Sequence, residues 1–391
     1  MNSTRPPLAE RTAHIQPFHV MALLARARAL EAAGRSIVHM EIGEPDFPTA
    51  APIVAAGQAA LARGDTQYTP AAGLPRLREA IAAYYRQRYD TEVDPMRILV
   101  TPGASGALQL ALTAVVDPGR AVLMSDPGYP CNRNFVQVLD GRPILVPTDA
   151  AHGHQLTPEL ARTHWHPDTA AVLVASPANP TGTLLSASQL SALYDLARER
   201  GAALIVDEIY QGLSYGCEAA TALRTGADVF VINSFSKYFG MTGWRVGWLV
   251  APDSHVDDLE RLAQNLFLAA PTPSQHAALA AFTPETLAIL EERRALFAQR
   301  RDYLLPALQD LGFKISAVPQ GAFYLYADCS AFTNDSFAFC HRLLEQAGVA
   351  ITPGIDFGRY RAEQHVRFAY TTSLEQLQEG VERLGRYLKA S

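Results

Sequence analysis

The sequence predicts an α/β fold in which a mostly parallel sheet of about seven strands is sandwiched by helices, with a second, smaller α+β domain. Short, continuously apolar runs recur along the first two thirds of the chain, and helical patterns lie between several of them. From about residue 283, a long amphipathic helix is followed by strand-like pieces that alternate with helices. Strands that are apolar on both faces and alternate with helices indicate a parallel sheet that is covered on both sides.

Five apolar runs are the predicted strands of the larger sheet. They are RILVT (97–101), AVLMS (121–125), AVLVAS (171–176), ALIVDE (203–208) and VFVINS (229–234). Two connecting segments, 105–116 and 186–201, carry the apolar spacing of helices. Ligands of such sheets bind outside the carboxyl ends of the strands, so the residues that follow each run are the candidates for chemistry.

The remaining segments predict the smaller domain. In the long helix that begins near Thr283, Pro306 predicts a kink or a break, because proline lacks the N–H that the helix needs. Strand-like pieces follow at 321–328 and 365–370. Near the other end of the chain, HVMALLARARALEAAG predicts a helix that ends at Gly34, a residue type favoured just after helices.

These patterns place the domain boundaries. Residues 48–285 are predicted to form the large domain, which holds the ligand edge of the sheet. Residues 1–47 and 286–391 are predicted to form the small domain, and its first residues form a proline-containing N-terminal arm. The chain contains no internal repeat and no low-complexity linker.

The composition excludes several classes of function. A net charge of -6 without a basic run argues against a nucleic-acid partner. No apolar run reaches the roughly 18 residues of a membrane span, so no membrane partner is expected. The first residues lack the apolar stretch of a secretory signal, and the cysteines are dispersed, so a cytoplasmic location is expected. The cysteines and histidines show no metal-ligand spacing, so no metal is expected.

Polar side chains and a small-residue turn lie at the ends of the predicted strands. In chain order they are Gly103, Ala104, Ser105, Asn179, Asp207, Tyr210, Ser236 and Lys237. A small-residue turn that opens a helix presents free N–H groups, which favour an anion such as phosphate. Each of these signals alone is common in ordinary turns. Their convergence on one edge of one sheet predicts a functional site.

The set matches the chemistry of pyridoxal phosphate. A lysine amine forms a Schiff base with its aldehyde, so Lys237 is the predicted attachment point and, once released, a base for the substrate α-proton. The carboxylate of Asp207 suits the protonated pyridine nitrogen. Asn179 and Tyr210 can hydrogen-bond the phenolic oxygen. The phosphate would be held by Ser105, Ser234, Ser236 and Arg245, of which Arg245 can bind in a bidentate manner.

The motifs that carry this chemistry resemble those of the class I/II pyridoxal-phosphate-dependent aminotransferases, which have the aspartate aminotransferase fold, or fold type I. The matches occur in order along nearly the whole chain. They are IGEPDFPT (42–49), YTPAAGLPRLREAI (68–81), TPGASGAL (101–108), DPGYP (126–130), SPANPTG (176–182), DEIY (207–210), SFSKYFGMTGWRVGW (234–248) and HVRFAY (365–370).

The resemblance implies a role for each matching residue. It assigns the Schiff base to Lys237 and the pyridinium partner to Asp207. The other implied cofactor contacts are Ala104, Ser105, Tyr129, Asn179, Tyr210, Ser234, Ser236 and Arg245. It further implies that Arg367 binds the substrate carboxylate, with Gly43 and Asn179. Tyr68 would reach the phosphate of a neighbouring subunit, which implies a homodimer with shared active sites.

Other readings of the motifs are weaker. SFSK also fits the S-x-x-K of penicillin-interacting serine enzymes, but neither S-D-N nor K-T-G occurs. The GASG loop fails the nucleophile-elbow pattern at its last position, and no G-x-G-x-x-G, P-loop or H-E-x-x-H occurs. A regulator that uses this fold as a sensor would need an added DNA-binding domain, for which the fold leaves no room. An enzyme is therefore predicted.

The predicted reaction is transamination, in which an L-amino acid gives its amino group to a 2-oxo acid by a ping-pong mechanism. Another fold-type I reaction, such as that of a cysteine-conjugate β-lyase, is the alternative. No Lys or Arg lies between Arg261 and Arg293, where relatives that prefer dicarboxylates often carry a cation. Another branch of the family has a lysine where this chain has Ser105. Neutral or aromatic amino donors are therefore favoured.

Overall fold

A computed structural model describes residues 8–15, 17–217 and 219–390. Within these residues the strands are β1 (Val38–His39), β2 (Ile98–Thr101), β3 (Ala121–Asp126), β4 (Arg142–Pro147), β5 (Thr169–Ala175), β6 (Ala203–Asp207), β7 (Val229–Ser234), β8 (Gly247–Val250), β9 (Tyr324–Asp328), β10 (Val349–Ala350), β11 (Thr352–Pro353) and β12 (His365–Ala369). The helices are α1 (His19–Ala32), α2 (Ala51–Arg63), α3 (Pro75–Tyr89), α4 (Gly103–Val115), α5 (Pro130–Val138), α6 (Pro158–Thr163), α7 (Ala187–Glu199), α8 (Val256–Leu266), α9 (Thr272–Leu279), α10 (Pro284–Asp310), α11 (Ser336–Arg342) and α12 (Leu374–Ala390).

The central feature is a seven-stranded sheet with the order β2-β8-β7-β6-β5-β3-β4. Its strands are parallel except β8, which runs antiparallel between β2 and β7. This sheet confirms the predicted α/β class. Asp207 at the end of β6 pairs with Ala175 of β5 and Ile232 of β7, so these three strands end at one edge. All five predicted runs are strands of this sheet, and β4 and β8 complete it.

The smaller α+β part contains two further sheets. Strands β11, β12 and β9 form an antiparallel sheet, and β1 pairs in parallel with β10. In the antiparallel sheet Arg367 of β12 pairs with both Thr352 of β11 and Tyr326 of β9. The middle strand therefore carries Arg367 in a fixed register. The exact domain boundaries, at residues 48 and 285, stay a prediction.

Of the two outcomes predicted at Pro306, a kink or a break, the break is wrong and the kink stays a prediction. Helix α10 runs without interruption from Pro284 to Asp310, with Pro306 in its last two turns. Leu304 and Leu308, on either side of the proline, are completely buried. Proline removes only one backbone hydrogen bond, and the burial of these two leucines opposes any unwinding of the helix end.

Helix α1 ends close to the predicted position. Gly34 lies two residues beyond its last residue, has φ +87°, and donates its N–H to the carbonyl of Glu31 at 2.9 Å. At the other end of α1, the N–H groups of His19 and Val20 donate to the two carboxylate oxygens of Asp356, each at 2.8 Å. Asp356 thus fixes where this helix begins. Residues 1–7 and 16 of the predicted N-terminal arm lie outside the described residues. Within the described residues, no helix is both long enough and apolar enough to cross a membrane.

Candidate active site

A cleft of about 350 Å³ lies at the carboxyl edge of the large sheet, beside the three-stranded sheet. All the residues predicted to contact the cofactor or the substrate, except Ser234 and Tyr68, line it. These are Gly43, Ala104, Ser105, Tyr129, Asn179, Asp207, Tyr210, Ser236, Lys237, Arg245 and Arg367. Residues from distant parts of the chain therefore meet in one cavity, as the convergence at the strand ends predicts.

The two other predicted residues lie outside the cavity wall. Ser234 is buried at the end of β7, and its hydroxyl lies 2.9 Å from the hydroxyl of Ser236, which faces the cleft. Ser234 therefore supports Ser236 from behind. Tyr68 is 82% exposed on the loop between α2 and α3, away from the cleft of its own chain. Its predicted role in a neighbouring site stays a prediction.

Lys237 extends into the cleft from the turn after β7. Its ammonium donates to the carbonyl oxygen of Gly43 at 2.7 Å. Removal from water lowers the pKa of Lys237 to about 8; the charge of Glu44 opposes this shift, and Arg367 and Arg245 add to it. About a tenth of the amine is therefore neutral and nucleophilic at pH 7.

Asp207 ends β6 at the floor of the cleft and is 4% exposed. One carboxylate oxygen accepts the N–H of Ile209 at 3.0 Å. Burial raises the pKa of Asp207 to about 6, against the opposing effects of the Ile209 N–H and the charge of Lys237. At neutral pH the carboxylate is still mostly ionised, so it can pair with a cation placed in the cleft.

The N-terminus of α4 and Arg245 form an anion cradle. Gly103, with φ +69°, is the first residue of α4, and a Cβ built on it would lie 2.7 Å from Nη2 of Arg245. Only glycine lets the guanidinium come this close to the helix. Arg245 itself has φ +54° and donates from Nη1 to the carbonyl of Thr242 at 3.0 Å, which orients the guanidinium. Free helix N–H groups, the positive end of the helix and a guanidinium together favour phosphate.

Arg367 lines the cleft from strand β12 of the three-stranded sheet and is 3% exposed. Its Nη1 donates to Oδ1 of Asn179 at 2.9 Å, and its Nη2 donates to the carbonyl oxygen of Glu41. Its Nε is buried and has no hydrogen-bond partner among the described residues. The guanidinium is thus fixed in position and still has a donor to offer, as a site for a carboxylate requires.

Two hydrogen-bonded tyrosines line the cleft, and the sequence predicted only one of them. The hydroxyl of the predicted Tyr210 lies 2.8 Å from that of Tyr324, a fully buried residue of β9 that also lines the cleft. In the sequence, Tyr324 lies within the apolar run FYLY, which indicates only a strand. Phe18, Val20 and Met21, at the start of α1, also line the cleft without a sequence signal, because only the fold brings α1 there.

A family model for class I and II aminotransferases matches residues 35–384 of the chain. The chain belongs to the class I and II aminotransferases. This aminotransferase is 38% identical to a valine–pyruvate aminotransferase from Mycobacterium tuberculosis, over 96% of this chain and 97% of the relative. A crystal structure of an aminotransferase from Mycobacterium tuberculosis matches it with a TM-score of 0.96 and 38% identity, over 99% of this chain and 100% of that chain.

Aspartate aminotransferase from Thermus thermophilus, solved with maleate, superposes on this aminotransferase with a TM-score of 0.92 and 36% identity, over 98% of this chain and 100% of that chain. The fold is therefore that of aspartate aminotransferase. As a member of this family, the enzyme uses pyridoxal 5'-phosphate and acts on amino acids and 2-oxo acids.

The cleft fits this cofactor. The glycine at position 103 leaves a cradle beside Arg245 that suits a phosphate group. Lys237 offers an amine for an aldehyde, and the buried carboxylate of Asp207 suits a protonated ring nitrogen. The unpartnered Nε of Arg367 then remains for a substrate carboxylate. Each functional group of the cofactor has a complementary group in the cleft.

Proposed function

We propose that this aminotransferase moves the amino group of a neutral L-amino acid to a 2-oxo acid by a ping-pong mechanism in which Lys237 is the covalent attachment point. The observation that carries the proposal is the position of the Lys237 amine, which lies in one cleft with the carboxylate of Asp207 and the guanidinium of Arg367. This reaction needs an amine that attacks the cofactor aldehyde, a carboxylate that pairs with the protonated ring nitrogen, and a cation that binds the substrate carboxylate.

Each residue of the cleft then has a defined task. Asp207 would hold the proton on the cofactor ring nitrogen, and Tyr210 would donate to the phenolic oxygen, with Asn179 beside it. When bound, the cofactor supplies an electron sink for the bond that breaks at the substrate α-carbon. Lys237, once displaced by the substrate amine, would take the proton from the substrate α-carbon and donate it to the carbon that came from the cofactor aldehyde. Arg367 would orient the substrate through its carboxylate.

The ring and the phosphate of the cofactor have further contacts. Tyr129, directly before α5, lines the cleft, and its ring would lie against the cofactor ring. Ala104 and Ser105 on the first turn of α4, together with Ser236 and Arg245, would bind the phosphate. Ser234 would act through Ser236.

The lining of the cleft supports a neutral amino donor. Much of it is apolar, with Phe18, Val20, Ile42 and Leu108 among its side chains. The cations among the lining residues, Lys237, Arg245 and Arg367, all have the tasks described above. Glu44 also lines the cleft and would repel a second substrate carboxylate. The similarity to a valine–pyruvate aminotransferase points in the same direction.

Borohydride labelling tests the attachment point. The chain has only three lysines, Lys237, Lys314 and Lys389, so a reduced and digested holoenzyme gives an unambiguous assignment. We expect the cofactor mass on the Lys237 peptide, because this amine has the lowered pKa and lies in the cleft. Label on Lys314, on Lys389 or on none of them would refute the proposal.

The same holoenzyme, assayed with a panel of amino donors against pyruvate and 2-oxoglutarate, tests the reaction and the substrate class. Faster turnover of branched or aromatic donors than of aspartate is expected. Release of ammonia and pyruvate from cysteine conjugates, without amino transfer, would instead indicate the β-lyase.

We also propose that the active unit is a homodimer whose sites are built from both chains. Tyr68 is exposed on its own chain. The loop that carries it is attached to α9, because the backbone carbonyl of the preceding residue, Gln67, accepts a hydrogen bond from the hydroxyl of Thr272. In the proposed dimer, the Tyr68 hydroxyl reaches the phosphate in the neighbouring site. A cytoplasmic location stays a prediction.

Mixing two inactive variants tests this dimer. Chains with Tyr68→Ala and chains with Lys237→Ala are expected to recover activity together, because one site of each mixed dimer has both residues intact. Random exchange limits the recovery to about a quarter of the wild-type value. Tyr68→Ala alone must first be shown to be strongly impaired. If subunit exchange is demonstrated and no activity returns, the shared site is wrong.

A further inference from the structure

Tyr324 lies between the cofactor side and the substrate side of the cleft. Its hydroxyl is 2.8 Å from the hydroxyl of Tyr210, and the centre of its ring is 4.2 Å from the guanidinium carbon of Arg367. A Cβ on Gly43 would lie 1.9 Å from the Tyr324 hydroxyl, so a side chain at position 43 would displace it. The same Gly43 accepts the hydrogen bond of Lys237. One buried tyrosine thus touches three parts of the site.

We propose that Tyr324 is a positioning residue that couples cofactor binding to substrate binding. Its hydroxyl orients the Tyr210 hydroxyl toward the phenolic oxygen of the cofactor, and its ring holds Arg367 at the angle that receives the substrate carboxylate. The inference rests on the function proposed above and adds a residue that the motifs do not identify.

The hydroxyl acts through the single proton of Tyr210. A tyrosine hydroxyl donates one hydrogen bond and accepts through its lone pairs. If Tyr324 donates to Tyr210, the proton of Tyr210 is free to point at the cofactor. The bond also polarises Tyr210 and makes it a stronger donor. Both tyrosines are buried, at 3% and 1% exposed, which limits competition from water for their hydroxyls.

The ring acts through the face of the guanidinium. The guanidinium carbon of Arg367 lies over two aromatic rings, 4.2 Å from the centre of Tyr324 and 4.7 Å from the centre of Phe357. Its edge is fixed by Asn179, by the Glu41 carbonyl and by Thr352, whose hydroxyl lies 3.2 Å from Nη2. The rings prevent the guanidinium from tilting, and the edge contacts prevent it from sliding. The direction of its free donor is therefore fixed before substrate arrives.

Two substitutions separate these roles. Tyr324→Phe keeps the ring and removes the hydroxyl. The midpoint of the pH titration of the bound cofactor's absorbance is expected to rise by about half a pH unit. The reason is that the hydrogen bond from Tyr210 to the phenolic oxygen becomes weaker and stabilises its negative charge less. The KM for the amino donor should change less than twofold. Tyr324→Leu removes the ring as well, and the KM is then expected to rise about 3- to 30-fold.

Tyr326→Phe is the matched control. Tyr326 lies on the same strand two residues later, and its ring stacks on His365 at 4.8 Å, outside the cleft. This variant should leave both the titration and the KM unchanged. Thermal unfolding of all variants reports any general loss of stability. If Tyr324→Leu does not fold, Tyr324→Met tests the same loss of the ring.

The outcomes are distinct from those of the proposed function. Failure to label Lys237 in the wild type would refute that function. With the label in place, an unchanged titration in Tyr324→Phe overturns the role of the hydroxyl. Equal KM values in Tyr324→Phe and Tyr324→Leu overturn the role of the ring.

Discussion

Replacing Lys237 with alanine is expected to reduce kcat by at least about 10⁴-fold, because the change removes the covalent attachment point and the proton carrier together. The buried position lowers the pKa of this amine to about 8 from an ordinary 10.5. At pH 7 its reactive neutral fraction is then on the order of a hundred times larger than that of an exposed lysine. No exposed lysine can replace it.

Lys314→Ala is the control for this prediction, because Lys314 is exposed and does not line the cleft. It should retain wild-type turnover. A second measurement follows from the lowered pKa of Lys237: the rate of cofactor capture by the cofactor-free enzyme should rise with pH up to about 8 and then level off. Capture that keeps rising to pH 10 would contradict the lowered pKa.

The central sheet was predictable because five of its seven strands are apolar runs, and the two strands that the sequence did not reveal were obscured for different reasons. Strand β4 is an edge strand that contains Pro143 and ends at Pro147, and most of its residues are only half-buried or exposed. Strand β8 is apolar and buried, but it follows directly on the segment that holds Arg245, and the sequence pattern there is that of the motif. Proline weakens the strand signal of β4, and the adjoining motif masks that of β8.

The site was predictable where residues follow strands or belong to motifs, and unpredictable where tertiary packing alone places them. Lys237, Asp207 and Asn179 follow strands of one sheet, and their meeting follows from the parallel topology. Tyr324 reaches the cleft from a different sheet, and its apolar neighbours in the sequence resemble any buried strand. Packing between distant segments, and not local pattern, determines such contacts.

Asp207→Asn is expected to lower kcat by about 10²- to 10³-fold, because a buried positive charge on the cofactor ring would lose the carboxylate that balances it. Asparagine keeps the size and the contact with the Ile209 N–H, which lies 3.0 Å from the carboxylate. The cofactor should therefore still attach to Lys237. Attachment is checked by borohydride labelling and turnover by steady-state kinetics.

The ionisation of Asp207 also predicts how cofactor affinity changes with pH. The pKa of Asp207 is raised to about 6, so in the cofactor-free enzyme the carboxylate is charged above this pH and becomes neutral below it. Cofactor affinity in the wild type should therefore fall as the pH drops through about 6. In Asp207→Asn this fall should be absent, because no proton can be gained at that position.

The neighbouring carboxyl group provides the matched control. Glu208 is completely buried next to Asp207, but it accepts hydrogen bonds from Thr221 at 3.0 Å and from the Ala222 N–H at 2.6 Å, away from the cleft. Burial raises the pKa of Glu208 to about 8, so the group is mostly protonated at neutral pH. Glutamine resembles a protonated glutamic acid, and Glu208→Gln should change kcat less than about threefold. An equal loss of kcat in Asp207→Asn and Glu208→Gln would mean that any substitution at the end of β6 impairs the enzyme. The prediction of a specific role for the Asp207 charge would then be wrong.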